Sequence, residues 1–383
     1  MNITDHLPAD WRQALLLGRI LTADGPTPVL VRDGRLLDIA DFAPTTAQAL
    51  ARADLAAADG SDLGALDELS FQTTWSNDDG IALLSPLDLQ CIKASGVTFA
   101  VSALERVIEE RARGDADAAA AIRQGLQDRI GGDLKDLKPG SAQAEAVKTQ
   151  LIADGLWSQY LEVAIGPYAE IFTKTPVLAS VGWGASVGVR ADSAWNNPEP
   201  EVVIVCDPSG RPVGASLGND VNLRDIEGRS ALLLGKAKDN NASAAVGPFV
   251  RLFDHGFTMD DVRSATVRLD VQGTDGFVMT GESSMRLISR DPDDLVAQTL
   301  SAHQYPDGFA LYLGTMFAPV EDRGAPGKGF AHKVGDRVRV SSGKLGVLEN
   351  VVTTCDQAPP WTMGVVELMR NLAGRGLLEG ATR

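Results

Sequence analysis

The stretch Asn197-Pro198-Glu199-Pro200-Glu201-Val202-Val203-Ile204-Val205-Cys206 decides how this chain is read. From Glu201 to Asp207 it forms one apolar strand. Side chains at i and i+2 of an extended strand share a face, so Glu199 and Glu201 aim two carboxylates the same way across Pro200. A second strand, from Arg211 to Leu217, follows a short hairpin and returns Asp220, in Gly218-Asn219-Asp220, to the same end of the sheet. Three convergent carboxylates repel one another unless a cation sits among them. All-oxygen ligation suits Mg²⁺, Mn²⁺ or Ca²⁺ rather than zinc. In a chain with 51 acidic residues, Glu-x-Glu alone is usually a solvated strand face. Its setting decides.

The 383 residues can fill one large or two medium domains, and the hydrophobic share of 44% is that of an ordinary globular protein. A net charge of −16 argues against nucleic acid or an anionic membrane as partner. Cys91, Cys206 and Cys355 lie far apart without paired spacing, which fits a reduced compartment. Met1 to Ile20 carries Asp5, Asp10, Arg12 and Arg19, and its longest apolar run is Ala14 to Leu17, so neither a signal peptide nor a membrane span is expected. A cytoplasmic protein is expected.

A small α/β domain is expected over residues 1–85, with the catalytic domain over 86–383. Thr27 to Ile39 reads as a hairpin around Asp33-Gly34, and Pro44 to Leu63 is alanine-rich and helical in pattern. Ser102 to Ile130 is amphipathic, with Leu104, Val107, Ile108 and Ala112 at helical spacing and a break at Gly114-Asp115. A further helix spans about Ala142 to Ala153. Beyond Glu162 short strands dominate, including a hairpin from Ala265 to Met279 about Thr274-Asp275-Gly276. Gly182 to Gly188 and Gly324 to Gly329 match no dinucleotide or phosphate loop and read as plain loops.

With these residues in order, the sequence resembles the fumarylacetoacetate hydrolase superfamily over Pro86 to Val352. The resemblance rests on the Glu-Pro-Glu strand, Gly218 to Asp225, Lys238 ahead of Gly247-Pro248, Gly314-Thr315, and Val334 to Asn350. It implies an α+β, mainly β fold: a mixed β-roll catalytic domain with helical insertions. The family's first helix usually carries a water-activating His six residues after a Gly, with a Glu three further on. Here those positions are Gly96, Ser102 and Glu105. Serine has no basic group of its own for that task. None of His6, His255, His303 and His332 obviously replaces it, so hydrolysis of a carbon–carbon bond is in doubt.

The pattern looks like the 2-keto-3-deoxy-pentonate dehydratases of the superfamily. Glu170, Glu199, Glu201, Asp220 and Lys238 are separated by 29, 2, 19 and 18 residues, as in that branch. The resemblance implies Glu199, Glu201 and Asp220 as ligands of Mg²⁺ (or Mn²⁺), with Glu170 and Lys238 catalytic. Ser102, Gly314 and Thr315 are candidates for holding substrate, and Arg224 with Asp225 for supporting Asp220. Each has a bland counterpart: Glu170 as a surface acid paired with Lys174, Thr315 as a strand cap, Lys238 exchanged with Lys236. The activity so implied is a hydro-lyase converting 2-keto-3-deoxy-D-pentonate to 2,5-dioxopentanoate, in a homo-oligomer. An acylpyruvase-type hydrolase, another keto-acid enzyme on the same site, and an inactive binding paralogue remain as alternatives.

Overall fold

The computed structural model describes residues 1–76, 79–113, 115, 118–119, 122, 137–317, 319, 321–323 and 329–378. Two sheets dominate, and the architecture is α+β, mainly β, as expected. The larger sheet has 12 strands. Pro212–Asp220, Pro200–Cys206, Phe309–Tyr312, Cys91–Gly96 and Glu170–Thr175 lie side by side in that order, the last of them at one edge. A 5-stranded sheet, running from Val278–Ser284 to Ser186–Val189, covers one face.

The Glu-Pro-Glu strand shows why the sequence there is apolar without interruption. Val202, Ile204 and Cys206 enter the main core, whereas Val203 and Val205 enter a second core on the opposite face. A strand covered on both sides has no polar face to alternate. Only its leading end opens on a polar space, and there the glutamates lie.

The strands of residues 1–85 join the same sheet. Leu16–Thr22 pairs with Ala244–Leu252, so the expected boundary near residue 85 marks no break in hydrogen bonding. The hairpin expected about Asp33-Gly34 is present, with both residues at positive φ, 51° and 73°. The helix expected over Pro44 to Leu63 is shorter, Thr46–Ala51. Thr45 caps its start, and Asp88 accepts from the Thr46 and Ala47 N–H groups at 2.6 and 3.0 Å. Beyond it, Ser61–Ala65 pairs with Arg35–Asp38, so sheet pairing prevails over the helix propensity of alanine.

A helical layer covers the cavity. Leu104, Val107, Ile108 and Ala112 of Ala100–Ala112 pack with Leu151 of Ala142–Ala153 and with Leu161 of Gln159–Ile165. The first helix ends at Arg113 in the left-handed region, near the expected break. Most of the expected continuation to Ile130, and Gly324 to Lys328, lie outside the described residues. No described helix is long and apolar enough to cross a membrane.

Candidate active site

Antiparallel pairing of Pro200 with Asn219 and Glu201 with Gly218 builds the site. The Asn219 side-chain carbonyl accepts from the Glu199 N–H at 3.1 Å, and the Asp220 N–H donates to the Glu199 carbonyl at 3.0 Å. These bonds fix the turn bearing Asp220 against the strand bearing the glutamates. One carboxylate oxygen from each of Glu199, Glu201 and Asp220 lies within 4.8 Å of the others, and all three residues are buried.

The three differ in their compensation. Lys238 contacts Glu199, and Asp220 at 2.9 Å. Arg106 reaches Glu199 at 2.6 Å, and fully buried Lys174 reaches Asp220 at 2.6 Å. Burial alone would raise Glu199, but Lys238 and Arg106 outweigh it and bring its pKa to about 2. Glu201 has no cation in salt-bridge contact among the described residues; it accepts from the Gly314 N–H at 2.7 Å and the Thr315 hydroxyl at 3.3 Å. Burial, with Asp220 and Glu199 beside it, pushes Glu201 well above the usual carboxylate range. A buried carboxylate in that state is incompletely compensated. The donor set, hard oxygens converging from three acids, fits a divalent ion such as Mg²⁺.

Glu170, at the start of Glu170–Thr175, faces the same cavity. It is half-buried. Burial, reinforced by Glu227, raises its pKa to about 7 against the opposing pull of Arg106 and Lys238. A carboxylate so placed is a usable base near neutrality. Lys174 is not its partner, because the lysine points to the other face and holds Asp220, the Val221 carbonyl at 3.3 Å and the Lys238 carbonyl. Lys238 is buried in the cavity, whereas Lys236 is exposed. Burial would lower Lys238, but Asp220 and Glu199 hold it above the ordinary lysine range, so it stays charged.

Ser102 lines the cavity, where its hydroxyl donates to the Phe99 carbonyl at 2.8 Å and accepts from the Phe99 N–H at 3.2 Å. Gly314 holds a φ of 104°, and its N–H fixes Glu201. Arg224 and Asp225 do not support Asp220 directly. Arg224 pairs with Glu109 at 3.2 Å and donates to the Pro319 carbonyl at 3.0 Å, and Asp225 accepts from the Ser193 hydroxyl at 2.8 Å and the Ala194 N–H at 2.7 Å.

Three site residues escaped the sequence reading: Arg106, Glu109 and Glu227. Arg106 lies 2.5 Å from Glu109 and 2.6 Å from Glu227, and Glu109 and Glu227 are buried. On the sequence, Arg106 and Glu109 are polar positions flanking an apolar helical stripe, indistinguishable from a solvated face. The space that Arg106 and Glu227 line together with Glu170, Glu199, Glu201 and Lys238 is about 20 Å³, room for roughly one water or ion. Admission of a larger ligand therefore requires the charged side chains to move, and Arg106, which reaches from the helix to Glu199, is the side chain that spans the space. A roomier cleft of about 390 Å³ between Phe42, Arg52 and Leu377 shares no lining residue with this cluster.

No family model matches the chain. It is 28% identical over 182 residues to the 2-dehydro-3-deoxy-D-arabinonate dehydratase of Saccharolobus solfataricus, covering 47% of this chain and 57% of that protein. It is 29% identical over 195 residues to the probable 2-keto-3-deoxyxylonate dehydratase of Haloferax volcanii, covering 51% and 64%. The match thus spans less than two thirds of either relative. Among solved structures, the apo form of a 2-keto-3-deoxy-D-arabinonate dehydratase superposes with a TM-score of 0.63 at 20% identity, covering 88% of this chain and 99% of that one. The form of that enzyme complexed with magnesium and 2,5-dioxopentanoate gives 0.61 at 20%, with the same coverage. A 5-carboxymethyl-2-hydroxymuconate delta-isomerase from Mycobacterium smegmatis gives 0.53 at 19%, covering 88% and 98%. At these identities the structural likeness is one of fold.

Proposed function

We propose that the protein dehydrates 2-keto-3-deoxy-D-pentonate to 2,5-dioxopentanoate with the help of Mg²⁺ held by Glu199, Glu201 and Asp220. The observation that carries this reading is the pairing of a three-carboxylate cluster with a separate carboxylate, Glu170, whose pKa is about 7. The dehydratase names of the two curated relatives support the choice of reaction.

When bound, the ion supplies Lewis acidity toward a 2-keto acid, which lowers the pKa of the protons on C3. Glu170 removes one of them. Lys238, a fixed positive charge beside Glu199 and Asp220, faces the negative charge that develops near the ketone oxygen. Because Lys238 holds its proton tightly, Glu170 is the group that returns a proton to the hydroxyl leaving C4. Moving a proton from C5 to C3 and ketonising the resulting enol at C4 yields the aldehyde. One water is lost. Hydrolysis would need a group to activate water. Ser102 is engaged with Phe99, and no histidine lines the cavity among the described residues.

A cytoplasmic role in oxidative pentose catabolism belongs to the same reading. So does a homo-oligomer, supported by the exposed apolar residues Val365, Val366 and Met369 of the C-terminal helix. Chelation tests the metal requirement: activity should vanish in a metal-free preparation and return with Mg²⁺ or Mn²⁺. Full turnover without metal would refute it.

A further inference from the structure

We infer that Arg106 and Glu227 form the selectivity pair of this cavity, favouring a 2-keto acid with an uncharged, hydroxylated tail over one whose tail ends in a second carboxylate. The inference rests on the keto-acid reading above and adds to it the residues that choose the substrate.

The geometry supplies the reason. Glu227 lies in the cavity wall, outside the three-carboxylate cluster. Its Oε2 is 2.6 Å from Arg106 Nη1 but out of line for a hydrogen bond, and it has no hydrogen-bond partner despite being buried. Paired by charge but poorly aligned, it keeps acceptor capacity that a hydroxyl could use. Arg106 presents a second nitrogen, Nη2, now donating to Glu199 at 2.6 Å. A hydroxyl needs one donor and one acceptor, and this pair offers one of each.

A carboxylate would fare worse. The positive charge of Arg106 is already faced by Glu109 and Glu227, while Arg224 shares Glu109 from the other side. Those four groups sum to no net charge. Glu170 adds further negative charge to the same space once ionised. Among the described residues, the cations facing the cavity are already paired with carboxylates, so a second anionic group on the ligand would meet Glu227 without one to offset it, and such like-charge contact is strongly selective. The apolar stripe of Ala100–Ala112 fixes the helix that carries Arg106, so the backbone from which this side chain reaches is set by packing rather than by a loop.

Three five-carbon acids lacking a C4 hydroxyl, and so unable to dehydrate, provide the probes: 5-hydroxy-2-oxopentanoate, 2-oxopentanoate and 2-oxoglutarate. Their affinities for the Mg²⁺-saturated protein are measured by calorimetry. In the wild type, 5-hydroxy-2-oxopentanoate should bind tightest and 2-oxoglutarate about tenfold or more weaker. In Glu227→Gln the gap between those two should shrink about tenfold, with 2-oxopentanoate little changed. The wild-type ranking is decisive even if the variant misfolds. Equal affinity for 2-oxoglutarate and 5-hydroxy-2-oxopentanoate in the wild type overturns the inference. So does an unaltered gap in a Glu227→Gln protein with a normal unfolding transition. If 2-oxopentanoate binds without any such ranking, only the selectivity claim falls. If none of the three binds, the keto-acid reading falls, and the selectivity claim with it.

Discussion

Glu170 lies directly over Gly96, its cross-strand partner. A Cβ added at Gly96 would sit 1.9 Å from Glu170 Oε2, where carbon contacts normally need roughly 3.5 Å. The glycine is what leaves the carboxylate its place in the cavity. Gly96→Ala should therefore displace the base while leaving the three-carboxylate cluster intact. Turnover should fall on the order of 100-fold with Mg²⁺ affinity unchanged, because a shift of about 1 Å in a reacting group has that effect. Steady-state kinetics beside a Mg²⁺ titration check it.

The base must be ionised to work, so kcat/KM should rise with pH through a midpoint near the Glu170 value of about 7 and level off above it. The same shift bears on stability with the opposite sign. A carboxyl of ordinary pKa 4.5 that titrates near 7 when folded destabilises the fold progressively as pH rises through that window. Glu170→Gln should thus lose turnover by several orders of magnitude yet unfold on the order of 2 to 3 kcal/mol less readily at pH 8 than at pH 4.5, relative to wild type. Urea melts at the two pH values check it. An unchanged difference would place the pH dependence on another group.

Glu201 is the carboxylate most in need of a cation, since no described residue offers one in salt-bridge contact. Glu201→Gln should stabilise the metal-free protein and abolish the stabilisation that Mg²⁺ gives. In the wild type, ion at 100 times its Kd should add about 2.7 kcal/mol. Melting curves with and without Mg²⁺ separate the two effects.

Lys174→Met tests the support beneath Asp220. Removing the partner of a buried charge typically costs about 3–5 kcal/mol. A loss below about 1 kcal/mol, measured by denaturant titration, would mean that Lys238 alone keeps Asp220 in place.

What the sequence disclosed and what it hid follow from range. The two-residue period of a strand placed Glu199 and Glu201 on one face, and the hairpin returned Asp220 to them; both relations are local. The helix over Ala142–Ala153 was legible for the same reason; the Ser141 side chain, accepting from the Ala144 N–H, caps it in the structure. Arg106 and Glu227 meet across 121 positions, so no local pattern announces their pairing. The bland alternative, Glu170 paired with Lys174, looked open because the two share a strand. They are four residues apart, but the register slips between Ile92 and Lys93 where that strand pairs, and the lysine turns to Asp220. The alanine-rich stretch after Pro44 misled because propensity is weak evidence when a neighbouring strand edge is open to pairing.

The most direct measurement follows 2-keto-3-deoxy-D-pentonate by NMR in D₂O with the Mg²⁺-loaded protein. The expected result is loss of the C4 carbinol signal, appearance of 2,5-dioxopentanoate with its aldehyde at C5, and solvent deuterium at C3. Formation of pyruvate and glycolaldehyde, or exchange at C3 without loss of water, would contradict a dehydration driven by Glu170 beside Glu199, Glu201 and Asp220.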